Sequence, residues 1–450
     1  MTSQVLAGWG RTQPVVARVV PSGEVDLTAC WRAAPGRGVL ARGLGRSYGD
    51  AAQNAGGLVV HSTDQTRVEV VDSARAVVRA TAGTTLDELM RWGFPRGWFV
   101  PVTPGTRYVT VGGAVAADIH GKNHHRDGSI GRHVSRITLD TPAQGRIELA
   151  PGTPAFDATV GGMGLTGVIV DVDLALLPVE TSAMRVDTER VPDLDTLLGR
   201  LGQLDRTHRY TVAWIDLLAR GRQLGRGVIT AGEHALVGEL DGRQRRRPLR
   251  FDPHPRVSVP PGVPAHLLNP VTVAAFNEVW FRRAPRRRVG EVQALSSFFH
   301  PLDGVQRWNR LYGPPGFVQY QFVVPDDAVP TLRSVVEKLA ARRAPAFLAV
   351  LKRFGAEGPG MLSFPRPGWT LAVDLPADPG MADLLDRFDD DVVSAGGRVY
   401  LAKDGRLRPR HLPAMYPRLD RWRQVRHELD PRHHLTSDLD RRLGLTGPGR

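Results

Sequence analysis

The chain has 450 residues, 42% hydrophobic and 23% charged, with a formal net charge of +13, which is ordinary globular material for two or three domains. Its single cysteine, Cys30, excludes an intramolecular disulfide and any multi-cysteine zinc or iron–sulfur site. No uncharged apolar run reaches the roughly 18 residues of a membrane span. The opening MTSQVLAGWGRTQP has neither a basic n-region nor an apolar h-region, so the expectation is no spanning helix, no Sec-type leader and a cytoplasmic setting.

Between Val39 and Ala82 short β-rich runs (VLAR, LVVHS, RVEVVD, AVVRATAG) alternate with Gly and Asp turns and read as strands. They are interrupted by RGLGRSYGD, Arg42 to Asp50. The following DAAQNAGG is too polar for an amphipathic helix, so this G-x-G reads as a turn wrapping a phosphate, with Arg46 and Ser47 as added donors. A plain hairpin turn is the simpler alternative. Thr85 to Glu88 fits a capping box ahead of the helix LDELMRW.

Next comes PGTRYVTVGGAVAADIHGKNHH, residues 104–125, the most informative stretch of the chain. Gly105, Gly112, Gly113 and Gly121 let main-chain N–H groups approach a flat or anionic ligand where a Cβ would intrude. The segment reads as a cofactor wall whose polar tip, residues 120–125, faces the reacting centre. His120 and His124 are spaced i, i+4, but Gly121 breaks the helix and no third ligand is in register, so polar active-site duty is expected and a metal is not. HGKN fails as a Walker loop, lacking the first glycine at Ala116 and carrying Asn123 where Ser or Thr must bind magnesium. Strands are expected near 134–141 and 146–149, then a long β run over 165–177. At its start Gly162, Gly164 and Gly167 of GGMGLTG match G-x-G-x-x-G, but VIVDVDLALLPV follows and alternates like a strand, so a tight turn contacting some ligand replaces the Rossmann reading.

From about Thr181 the pattern restarts with strand AMRVDTERV, a helix over 194–204 and strands over 210–217 and 227–230. A basic, Pro-rich excursion over about 241–290 contains RQRRRPLR and RRAPRRR, which attract phosphates, acidic lipid surfaces or nucleic acid; a solvated loop is the alternative. Then follow strand-like QALSSFF and FVQYQFVVP, a helix over 326–343, strands FLAVLKRF and WTLAVDLP, a helix over 381–395, strand RVYLAK and a helical tail with Trp422. Gln319 and Gln321 share one strand face and need partners there. Lys352 poses the same question, with a ligand phosphate as an option. Lys403 ends a predicted strand and could pair with an anion, although an exposed salt-bridge lysine is the simpler reading. The whole is α+β, with the second sheet mostly antiparallel.

Taken in order, RGLGRSYGD, PGTRYVTVGGAVAADIHGKNHH, GGMGLTG, FVQYQFVVP, LKRFG and GGRVYLAKD resemble the decaprenylphosphoryl-ribose 2-oxidases, of the vanillyl-alcohol-oxidase class of FAD enzymes, from Gly8 to about Leu435. The resemblance implies a two-lobed PCMH-type FAD-binding domain (1–181), a substrate domain (182–397) and a C-terminal segment (398–450) returning to the first. It implies dissociable, non-covalent FAD held by Arg42, Gly43, Leu44, Gly45, Arg46, Ser47, Tyr48 and Gly49, by Pro104, Gly105, Thr106, Val109, Gly112, Gly113, Ala117, Ile119 and His120, and by Gly164, Val168, Tyr400 and Lys403. Tyr48, Lys122, Trp214, Gln319, Gln321 and Lys352 match substrate-pocket positions.

The implied reaction is oxidation of the 2-hydroxyl of a polyprenylphosphoryl-ribose by hydride transfer to the flavin. That is the first half of an epimerisation to the arabinose donor for cell-wall polysaccharide, completed by a partner keto-reductase. Lys403 and His120 are both candidates for the base, and Lys403 is equally a candidate stabiliser of negative charge on reduced flavin. The basic loops suit a substrate presented at a membrane surface, placing the protein in the cytoplasm or peripherally at either membrane face. Ala372 stands where some relatives carry a cysteine open to mechanism-based inhibitors, Phe299 replaces a family tyrosine and Thr370 an asparagine, which bears on specificity. An FAD oxidase of a soluble sugar alcohol or aldonolactone keeps the fold and changes the substrate. A nucleic-acid-binding reading lacks interleaved aromatics and a groove-reading element.

Overall fold

The computed structural model describes residues 2–24, 26–32, 36–264 and 267–447. Three sheets carry the α+β architecture. A four-stranded sheet has the order Thr2–Leu6, Val15–Pro21, Leu58–His61, Val39–Arg42; the first pair is antiparallel, and both other strands run parallel to Leu58–His61. The first two of these strands were not among the sequence expectations. Thr2–Leu6 is an exposed edge whose side chains give almost no alternation signal. A five-stranded antiparallel sheet follows, in the order Val68–Asp72, Val77–Thr81, Val168–Ala175, Val134–Thr141, Gly145–Leu149.

The third sheet has eight strands, all neighbours antiparallel: Arg287–Ala294, Ala183–Val191, Gly227–His234, Tyr210–Ile215, Ala349–Phe354, Gly368–Pro376, Phe317–Val324 and Arg398–Val399. Helices Leu194–Leu204, Val329–Arg342 and Pro379–Ser394 cover one face, burying Ala213, Leu351, Leu371 and Phe322. The period-2 alternation of the strands puts Val212, Trp214, Val350, Lys352, Ala372, Gln319 and Gln321 on the other face, toward the remaining sheets.

Helix Leu86–Gly93 starts on the capping box read from the sequence, Thr85 Oγ1 accepting from the Glu88 amide at 3.1 Å. Helix Leu419–Leu429 returns the tail: the Trp422 indole N–H donates to the Ala158 carbonyl at 2.9 Å, and Leu435 bridges to Val39.

Three local expectations need correction. In QALSSFF only Gln293 and Ala294 are strand, and Leu295–Phe299 is a short helix that folds its apolar residues inward. The last strand stops at Val399, and the chain turns there, with the Lys403 amide bonded to the Tyr400 carbonyl at 2.9 Å. Lys403 therefore sits on a turn, which brings it back over the sheet. RRAPRRR, read as loop, ends helix Pro270–Arg283 and opens strand Arg287–Ala294. Among the described residues no helix is long and apolar enough to cross a membrane and no cluster of metal-ligating side chains occurs.

Candidate active site

A cavity of about 1060 Å³ runs from the glycine segments, across the open face of the large sheet, to the helix at Trp280. Its floor is a row of directly paired residues on adjacent strands: Val228 opposite Trp214, Trp214 opposite Val350, Val350 opposite Ala372, and Ala372 opposite Gln321. Antiparallel register therefore fixes which side chains share the floor.

The opposite end is main chain. Residues 42–48 form a loop with Gly45 at φ 61°, a left-handed turn that favours glycine. The Arg42 guanidinium ties the loop down by donating to the Ala52 and Ala7 carbonyls, so it serves as a strut. Arg46 lies 4.4 Å over the Trp9 ring. Across the cavity, Thr110 caps helix Val111–Ala116 by accepting from the Gly113 amide at 3.3 Å. Gly112 lets that helix press on the strand below, since an added Cβ would lie 2.7 Å from that of Ala82. A Cβ on Gly105 or Gly164 would meet nothing within 4 Å, so both walls open onto room that the protein itself does not fill.

The loop ahead of the helix is fixed by Asp303, which accepts from Thr106 Oγ1 at 2.6 Å and from the Arg107 amide at 2.9 Å, while Arg107 also pairs with Asp87 at 2.6 Å.

Polar groups gather where the two ends meet. The Gln321 amide N–H donates to His120 Nε2 at 3.0 Å and to Thr370 Oγ1 at 3.3 Å, leaving the ring proton on Nδ1. His120 packs among Phe354, Phe364 and Tyr400; burial and then nearby Lys352 hold its pKa well below the usual imidazole range. The Tyr400 hydroxyl donates to the Ala117 carbonyl at 2.8 Å. Gln319 donates to Asp374 Oδ1 at 2.5 Å, and burial pushes that carboxyl up to about 7.

Lys403 Nζ lies 3.9 Å from the centre of the Tyr48 ring, and burial pushes its pKa down to about 7, with Asp374 opposing. Burial likewise lowers Lys352 to about 8 and Lys122 to about 7, the latter lying 4.1 Å over the Phe298 ring and donating to the Phe298 carbonyl. Neither Lys352 nor Lys403 has a hydrogen-bonded partner among the described residues, and both face the cavity. Desolvated amines without hydrogen-bonded partners mark a place for an anion or a proton acceptor.

Of the residues that the resemblance assigns to cofactor or substrate, two stand away from this cavity. Gly49 packs on the other side of its loop, where an added Cβ would strike the Asp404 carbonyl. Val168 points into the core with Val20, Trp31, Val39 and Leu435, and its strand neighbour Ile169 faces the cavity in its place. His124 and His125 are also elsewhere, accepting from the Gly355 amide and meeting the His208 carbonyl. All the others, Arg42 to Tyr48, Pro104, Gly105, Thr106, Val109, Gly112, Gly113, Ala117, Ile119, His120, Gly164, Lys122, Trp214, Gln319, Gln321, Lys352, Tyr400 and Lys403, line it. Asp374 was missed. The amide at Gln319 required a buried partner, and the acid in WTLAVDLP was the available one.

The comparisons agree with this geometry. A family described as FAD binding domain matches residues 15–150, which hold both glycine segments. The chain is 43% identical over 453 residues to the decaprenylphosphoryl-beta-D-ribose oxidase of Mycolicibacterium smegmatis, covering 99% of this chain and 98% of that protein. It is 25% identical over 410 residues to an alditol oxidase from a Streptomyces species, covering 90% of each. A D-lactate dehydrogenase of Anaerostipes hadrus matches over 143 residues at 24% identity, 30% of each chain. A glycine-walled cavity meeting a cationic sheet face, together with near-complete coverage at that identity, places this chain in the decaprenylphosphoryl-beta-D-ribose oxidase family of FAD-binding proteins.

Proposed function

We propose that the protein oxidises the 2-hydroxyl of a polyprenylphosphoryl-ribose to the 2-keto sugar with FAD, as the first half of an epimerisation completed by a partner keto-reductase. The observation that carries this reading is the union of two surfaces in one cavity, bare main chain at one end and Lys403, Lys352, Lys122 and the two glutamines at the other. The residues fit FAD. The open Cβ directions at Gly105 and Gly164 leave space for a flat ring system, and the 42–48 turn offers main-chain N–H groups and Arg46 to a pyrophosphate. When bound, FAD supplies a two-electron acceptor for the sugar C2 hydride.

The dissociable form of FAD is the one the family resemblance implies. His120 is the sole histidine of the described lining, it is wedged among Phe354, Phe364 and Tyr400, and no cysteine lines the cavity. In the domain division we adopt, residues 1–181 and 398–450 hold the cofactor and 182–397 the substrate.

We assign the proton to Lys403. Its amine is brought down to about 7 by burial, so near neutral pH a large fraction is unprotonated and able to take the hydroxyl proton at Nζ. His120 has its acceptor nitrogen occupied, so it orients Gln321 toward the sugar. Gln319 and Gln321 project from the floor to hydroxyls, and Lys352 or Lys122 meets the substrate phosphate, whose charge restores their protonated forms. The row Ala372, Val350, Trp214 and Val228 supplies an apolar floor beyond the sugar. Peripheral membrane association through basic segments suits such a substrate. The test is anaerobic mixing of the yellow holoprotein with polyprenylphosphoryl-ribose; bleaching supports the reading, and bleaching only by free alditols or aldonolactones replaces it with the soluble-substrate alternative.

A further inference from the structure

Helix Pro270–Arg283 turns the usual arrangement of a surface helix inside out. Toward the protein it sends Val273 and Asn277, the latter wholly buried and donating to Asp216 Oδ1 at 2.8 Å, while Glu278 pairs with Arg226 at 2.7 Å. Toward solvent it presents Val271, Phe276, Val279 and Trp280, exposed by 70, 46, 65 and 47%. Polar contacts thus tether the helix and leave its apolar face in water. Phe276 and Trp280 stack at 6.2 Å, so the face is a continuous patch, which soluble surfaces keep small unless something covers it.

What covers it is indicated by charge. Arg283, Arg286 and Arg287 follow at the end of the helix, exposed and without a side-chain partner among the described residues. The nearby carboxylates are already engaged, Glu278 with Arg226 and Arg282 and Glu291 with Arg288. An apolar face edged by uncompensated guanidinium groups matches an anionic bilayer surface, acyl chains beneath and phosphates at the rim. At about 21 Å, the length of 14 residues, the helix can lie in the interface and is too short to span it. Trp280 lies in both the exposed patch and the lining of the cavity, so the apolar face adjoins the cavity's own entrance.

We infer that helix Pro270–Arg283 docks this protein onto an anionic lipid surface and sets the cavity mouth against the leaflet that carries the substrate. The inference rests on the lipid-linked substrate proposed above and names the element that meets the lipid. A docked mouth lets the headgroup enter while its isoprenoid chain stays in the leaflet.

The experiment is co-sedimentation of the FAD-loaded full chain, without substrate, with vesicles of phosphatidylcholine alone and of equimolar phosphatidylcholine and phosphatidylglycerol. Wild type is expected to bind the anionic vesicles and to lose binding in high salt. Val271→Asp/Val279→Asp is expected to weaken binding at least about tenfold, because each exposed valine is worth roughly that factor when buried. Arg283→Ser/Arg286→Ser/Arg287→Ser is expected to weaken it by about fivefold per arginine. Both variants should keep wild-type bleaching rates with a soluble short-chain polyprenylphosphoryl-ribose, which shows that they fold.

Wild type that ignores anionic vesicles, or variants that bind them as well as wild type, overturns the inference. A dimer that forms in sedimentation and is abolished by the valine substitutions, with no vesicle binding, assigns the face to a second protein surface instead. Failure of the short-chain substrate to bleach wild type would count against the substrate reading and leaves vesicle binding as a separate result.

Discussion

At one end of the cavity, residues 42–48 and 104–119 present main chain, glycines and small side chains, fixed by struts such as Arg42 and Asp303; at the other, the large sheet and the turn after it present long basic side chains, of which Lys352 and Lys403 have no hydrogen-bonded partner among the described residues. The first end is complete in itself, with walls shaped for a flat ligand. The second is electrostatically incomplete, with Lys403, Lys352 and Lys122 all held below their ordinary pKa by burial. Shape recognises the cofactor; unmet charge recognises the phosphate and the moving proton. Substitutions at the two ends should therefore fail differently, one in cofactor content and the other in rate.

The largest expected effect is at Lys403. Lys403→Ala should keep its yellow colour and lose about 10³-fold or more in the rate of substrate-driven bleaching, the usual range for a lost general base; near-normal rates in stopped flow would refute the assignment. Next, Gly105→Leu fills the open wall and should lower FAD content by about tenfold or more while the remaining holoprotein turns over normally, read by absorbance against protein concentration.

The pH profile follows from signs. Lys403 must be unprotonated to accept, so kcat/KM should rise as pH rises through about 7; Lys352 must be protonated to hold phosphate, so KM should climb above about 8. Asp374 raises the Lys403 pKa, so Asp374→Asn should move the rising limb to lower pH, with a loss of only about threefold to tenfold at its optimum. An unmoved limb would separate Asp374 from the proton path.

Much of the glycine end was legible because close approach of main chain needs glycine, and RGLGRSYGD and the 104–121 stretch advertise it letter by letter. The same logic rejected a Rossmann site at GGMGLTG, where strand Val168–Ala175 follows. The sheet end was legible only in part. Alternation put Gln319 and Gln321 on one face, but the partner of each lies on another strand or lobe, Asp374 for one and His120 for the other, and no local pattern encodes that pairing. Val168 came from the family resemblance alone; its side chain packs in the core with Val20 and Leu435, and the neighbouring Ile169 lines the cavity. Helix Pro270–Arg283 was hidden inside a Pro- and Arg-rich stretch that reads as loop, because its apolar residues do not face the core that periodicity arguments assume.

The central claim is that one cavity joins a flavin to the sugar of a lipid-linked phosphate. Anaerobic titration of the holoprotein with polyprenylphosphoryl-ribose, followed through the visible flavin band, tests it most directly. The account predicts complete bleaching with one equivalent of substrate and formation of one equivalent of 2-keto sugar. A colourless purified protein that takes up no FAD, or a flavin left oxidised by this substrate, would contradict it.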